Sequence, residues 1–294
     1  MTTSRLTTEI AAAAIDLSLA GRWTRALTLL DAAVGAGPVA AETHQAQIAL
    51  AAAEVALEQD WWVGTDSAGE RIAAADEAGA ESWPLDFLRL RNDYLRLIHP
   101  PGGRFQPGPW GKDPAAIADL ESRADNLRTS APDRLAAGWA AMYRGLIADN
   151  LRADRAAAPA YYEVALAAAG GEGRPPGGDA LLAREALRHL GDHDHDNGDH
   201  AAALDRWQRA TALGAGAGKV TGTLSQQLLL AVLARDAGDE SAATALAAEV
   251  ARWADAIGAI RIRDNANGFL AGTDPTAAPD EAAAPPVDDA SEMS

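Results

Sequence analysis

Leu181–Leu213 reads LLAREALRHLGDHDHDNGDHAAALDRWQRATAL, two helical patterns back to back across a turn at Asn197-Gly198-Asp199. Leu187 and Leu190 share a face of the first helix, being three residues apart. Gly191 follows Leu190, so a partner helix can come close there. Ala203 and Trp207, four apart, share a face of the second helix, with Ala210 a turn further on. A small residue lets two helices cross tightly, and the indole fills the space beside the crossing. The spacing predicts an antiparallel helical hairpin.

The arrangement recurs along the chain. Gly21, Ala26, Leu30 and Ala33 stand in the same relation as Gly198, Ala203, Trp207 and Ala210. Ala68, Ile72 and Ala75 repeat the small–large–small spacing, as do Ala158, Tyr162 and Ala165. A last hairpin, Leu224–Ala237 and Asp239–Trp253, turns at Gly238. The pattern resembles the tetratricopeptide (TPR) repeat at Leu190, Gly191, Gly198, Ala203, Trp207 and Ala210, and departs where Asp194 replaces a frequent Tyr. The resemblance implies an all-α fold, a right-handed α-solenoid of about six antiparallel helical hairpins. These fall near 5–36, 40–79, 83–128, 132–169, 179–213 and 223–257, in one repeat domain over 1–272. Gly198 and Gly238 lie 40 residues apart, against about 34 for a minimal repeat, and a loop at Gly214–Gly222 accounts for the excess. The spacing leaves a HEAT-like or irregular α-solenoid open.

Composition agrees with helices. Of the 294 residues 48% are apolar, largely Ala, and β-branched residues are too sparse for a sheet. The absence of Cys excludes disulfides, thiolate metal sites and Cys nucleophiles. A net charge of −17 would repel a phosphate backbone, so nucleic acid is not an expected partner. Glu9 and Asp16 interrupt the apolar part of the N-terminal segment, unlike a signal peptide, and no run is long enough to span a membrane. A cytoplasmic location is expected, and the Ala excess with Arg over Lys suits a GC-rich bacterial source. Residues 273–294 carry six acidic and no basic residues without periodicity, an acidic Ala/Pro-rich tail expected to be disordered.

In TPR proteins the first helix of each hairpin lines a concave groove that holds partner segments. Carried over, Glu185, Arg188, Asp192, His195 and Asp196 line it in the fifth hairpin, followed by Ser225, Leu228, Val232 and Arg235 in the sixth. This mixed, acidic set suits a basic or amphipathic protein or peptide, on a non-enzymatic scaffold without cofactor. The alternatives are a regulatory sensor taking a small ligand or signal peptide, and a metal-binding protein or enzyme using the His193–His200 turn.

Three other stretches invite chemistry. Asp192–His200, DHDHDNGDH, holds metal-ligand types. An EF-hand fails there because the glycine is one place late and no Glu closes the loop. His193 and His195 are two apart and diverge on a helix, whereas His195 and His200 span the turn and can converge with Asp196 or Asp199 on a metal. Gly214–Gly222, GAGAGKVTG, follows a helix in an all-α chain, so the dinucleotide reading lacks its βαβ unit. Pro100–Pro114 reads as an ordered loop in which Phe105 and Trp110 with Arg104 and Lys112 would make an apolar, basic island, although both aromatics are expected to pack down on the helices. No G-x-S-x-G elbow occurs.

Overall fold

A computed structural model describes residues 3–35, 42–100, 105–170 and 179–276. Among these residues there are thirteen helices and no strand. They are α1 (Thr3–Leu19), α2 (Trp23–Gly35), α3 (Glu42–Val63), α4 (Ala68–Glu77), α5 (Ser82–Ile98), α6 (Pro114–Thr129) and α7 (Arg134–Asn150). There follow α8 (Ala158–Ala168), α9 (Ala180–Asp196), α10 (His200–Gly216), α11 (Val220–Asp236), α12 (Glu240–Ile257) and α13 (Ile260–Leu270). The breakers at 36–38, part of the loops at 101–104 and 171–178, and the tail from 277 lie outside the described residues. No described helix is long and apolar enough to cross a membrane.

Local chemistry sets the hairpin turns. Gly198 ends α9 at φ +77°, a left-handed conformation that costs glycine little, and Asp199 then caps α10 by accepting from the Ala202 N–H at 3.1 Å. Gly238 and Asp239 repeat the device, with Asp239 accepting from the Ala242 N–H at 2.9 Å. The cap of α4 comes from a distance. Thr65-Asp66-Ser67 reads as a local cap, but Ser67 makes no side-chain cap bond. The buried Asp60 carboxylate accepts instead from the N–H groups of Ser67 at 2.9 Å and Ala68 at 2.8 Å.

Packing follows the small–large–small triplets. Ala203, Trp207 and Ala210 are fully buried, as are Ala158, Tyr162 and Ala165. A Cβ at Gly191 would lie 2.6 Å from the Trp207 ring, and one at Gly145 would lie 2.6 Å from Tyr162. Each glycine therefore supplies the clearance its aromatic partner needs. Neighbouring helices pack in chain order from α1 to α13.

The ends of the array also meet. α13 packs on α3 as well as on α12. One buried cluster joins Ala14, Leu30 and Val55 near the start to Leu228, Val250 and Phe269 near the end. The Arg261 guanidinium donates to the Trp61 carbonyl at 2.6 Å across this seam, and Lys219 pairs with Glu58. The first and last hairpins thus bury apolar surface against each other, which a row of nearest-neighbour repeats does not require.

Gly214–Gly222 is helical for most of its length: α10 runs through Gly216 and α11 starts at Val220, leaving a turn at 217–219. Arg184 packs against this segment: it is buried and donates to the Gly222 carbonyl at 2.9 Å. A Cβ at Gly222 would stand 2.7 Å from its guanidinium carbon, and one at Gly214 would stand 3.4 Å from its stem. Gly222 makes room for an arginine between helices, and the extra helical turn lengthens the repeat. In the described part of the 100–114 loop, Lys112 donates to the Gln106 and Gly108 carbonyls at 2.6 and 2.7 Å, so it closes its own loop, and Phe105 and Trp110 are exposed instead of packing down on the helices.

Candidate functional site

The inner faces of α3, α5, α7 and α9, with the start of α11, bring charge together. Arg91 on α5 donates to Glu54 on α3 at 2.6 Å and lies 3.7 Å from Glu58. Glu58 also accepts from the Trp62 indole at 3.1 Å and pairs with Lys219 at the cap of α11. On α9, Arg184 pairs with Glu185, and Arg188 lies 3.3 Å from Asp192. The Tyr143 phenol on α7 ties the two sides: burial raises its pKa, Arg91 opposes, and the Glu58 and Glu185 carboxylates raise it further.

These groups are crowded between helices yet partly open to water, and we term this charged seam the cleft. Arg188 and Asp192 lie deep in the molecule, yet 26% and 24% of their side-chain surfaces stay open to water. Buried charge is costly unless it is paired or wet, and both conditions are met here. Around the cleft some polar atoms have no partner, namely Arg91 Nε and Arg184 Nε. On α11, Gln226 is fully buried with neither amide atom bonded.

Asp192 is pushed up to about 6, by burial first, with Asp149 and Asp196 adding to it against Arg188. The unfolded carboxyl ionises near pH 4, so folding takes up a proton between about pH 4 and 6, and the group's contribution to stability falls as pH rises through that window. Asp192→Asn carries no such proton. Relative to wild type, the variant should gain on the order of 2 kcal/mol between pH 4 and 7. Urea denaturation at the two pH values measures this; parallel pH profiles would show an ordinary carboxyl.

The sequence-predicted groove residues divide. Glu185, Arg188 and Asp192 are partly open to water and belong to the charged cluster on α9. Ser225 is half-buried on α11. Leu228 and Val232 are buried in the core that joins the two ends of the array, where they are unavailable to a groove. Arg235 is a clasp: it stacks on the Phe269 ring at 3.6 Å, donates to the Phe269 carbonyl at 3.0 Å and pairs with Glu240 at 2.8 Å, holding α13.

The histidine run splits by helix face. His193 turns inward to Asp149 at 3.1 Å, a carboxylate that also accepts from the Tyr162 hydroxyl at 3.0 Å. His195 turns the other way, and its ring lies 5.2 Å from His200 across the turn. The expected carboxylates are engaged elsewhere, since Asp196 pairs with Arg155 and Asp199 caps α10. Asp236, at the end of α11, takes their place with Oδ2 2.8 Å from His195 Nε2.

Sequence reasoning missed Glu54, Glu58, Arg91 and Lys219 in the cleft, and Asp236 beside the histidines. One signal was present for Lys219, which is one of only two lysines in the chain and is buried, where lysine is rare unless paired. Comparison with known family models, curated proteins and solved structures finds no match to this chain.

Proposed function

We propose that this chain is a cytoplasmic, non-enzymatic binding module, a right-handed α-solenoid of about six TPR-like hairpins. Its inner cleft takes a short basic or amphipathic segment of a partner protein. The open surface around Asp192 and Glu185 carries this reading. Glu54 and Glu185 keep 34% and 29% of their side-chain surfaces open, against 13% for Arg91 and 8% for Lys219, while Arg188 and Asp192 are nearly equal at 26% and 24%. The face offered to a ligand is therefore negative, although the cleft as a whole is paired. Cationic side chains of a partner satisfy it at a smaller desolvation cost than fully buried charges would incur.

Fluorescence anisotropy against labelled 12-residue peptides of basic, mixed and acidic composition tests the idea. Basic peptides are expected to bind, and Glu185→Gln with Asp192→Asn should weaken them at least about tenfold, 1.4 kcal/mol, with helical circular dichroism unchanged. Equal binding of acidic and basic peptides, or indifference to the double substitution, would overturn it. The meeting of the two ends favours a second reading, a sensor for a small ligand, because the Glu58–Lys219 pair at the cleft joins the first and last thirds of the chain. That reading expects ligand-dependent compaction in solution scattering.

A further inference from the structure

We propose that His195, His200 and Asp236 form a binding site for a divalent transition-metal cation of the Zn2+ class. One ligand atom from each residue lies within 4.8 Å of the other two. The three come from the end of α9, the start of α10 and the end of α11. Two imidazoles and a carboxylate are the donors such ions prefer, and three protein ligands leave a fourth position for water or a partner's side chain.

The supporting structure holds the donors in place. Gly198 and Asp199 build the turn that carries His200 back over His195, with the rings stacked at 15°. The Trp207 ring lies 5.5 Å from the other side of His195. His195 Nε2 points at Asp236, while Nδ1 has no hydrogen-bond partner and lies 3.6 Å from the Asp196 carboxylate. A metal-bound imidazole commonly gives its second N–H to a carboxylate, and Asp196, which also pairs with Arg155, would fill that role after a small rotation toward Nδ1. Tetrahedral ligand atoms sit about 3.4 Å apart, so His200 closes in and the His195–Asp236 contact opens slightly, within the reach of side-chain rotation. His200 and Asp236 are exposed, which gives an aqueous ion a way in.

The competing account is a plain His195–Asp236 hydrogen bond between α9 and α11, with His200 incidental. His200→Ala separates the two, because it removes a donor and leaves that bond intact. The full chain is titrated with CoCl2, followed by the d–d absorption of the ion, and with ZnCl2 by calorimetry. The expected result is one ion per chain, an affinity at least about tenfold weaker in His200→Ala and in Asp236→Asn, and no change in His44→Ala, a histidine on α3. Zinc should raise the thermal midpoint of wild type and leave that of His200→Ala unmoved. No stoichiometric binding, or equal affinity in wild type and His200→Ala, overturns the assignment.

Discussion

Trp207→Ala is expected to cost about 3–5 kcal/mol of folding stability, the range for emptying a buried aromatic site. Trp207 is fully buried and is the largest such side chain among the described residues. Its indole N–H donates to the Arg188 carbonyl at 3.0 Å and to Asp192 Oδ1 at 3.1 Å, so the truncation also strips a donor from the cleft. The sharper test uses Gly191, whose added Cβ would collide with the ring at 2.6 Å. Gly191→Ala alone should cost about 1–3 kcal/mol by overpacking. Once the indole is gone the methyl has room, so the double variant should be more stable than the sum of the singles by about 0.5–3 kcal/mol. Guanidinium denaturation of the four proteins measures this. Strict additivity would mean that α9 and α10 do not cross through this glycine.

Lys219→Met should destabilise by about 2–4 kcal/mol, somewhat below the usual cost of orphaning a buried charge, because Glu58 keeps Trp62 at 3.1 Å and Arg91 at 3.7 Å. The pH dependence identifies the cause. In the wild type, burial acts to raise the Glu58 pKa, but Lys219 and Arg91 overcome it and hold the carboxyl below its ordinary value. That stabilisation is present above the unfolded pKa and is lost as pH falls through the folded one. Without Lys219 the balance tips toward burial, so the deficit of Lys219→Met should be largest at neutral pH and shrink on acidification. Lys219→Met with Glu58→Gln should recover much of the loss, since replacing both partners removes the stranded charge. A deficit independent of pH, or a double variant as weak as the single, would show that the pair does not join the two ends of the fold.

The hairpins were legible because their determinants are local. Glycine at a left-handed turn, aspartate at the next cap, and a small residue opposite an aromatic act within a few turns of helix, so they survive as spacing in the sequence. The same logic places His195 and His200 together across their turn. It misread Gly214–Gly222, because glycines look alike whether they break a helix or clear a path for Arg184.

Sequence by itself therefore determined the class of element, the packing of neighbouring helices and the small–large–small triplets that pack between them. Tertiary structure alone decided that the two ends meet, since local spacing specifies how a helix packs on its neighbour and not where the last helix arrives. Contacts made by that arrival leave no periodic trace. Glu58 and Lys219 are 161 residues apart, and Asp236 reaches His195 from 41 residues away. Such pairs are selected by distance in space, which spacing along the chain does not encode.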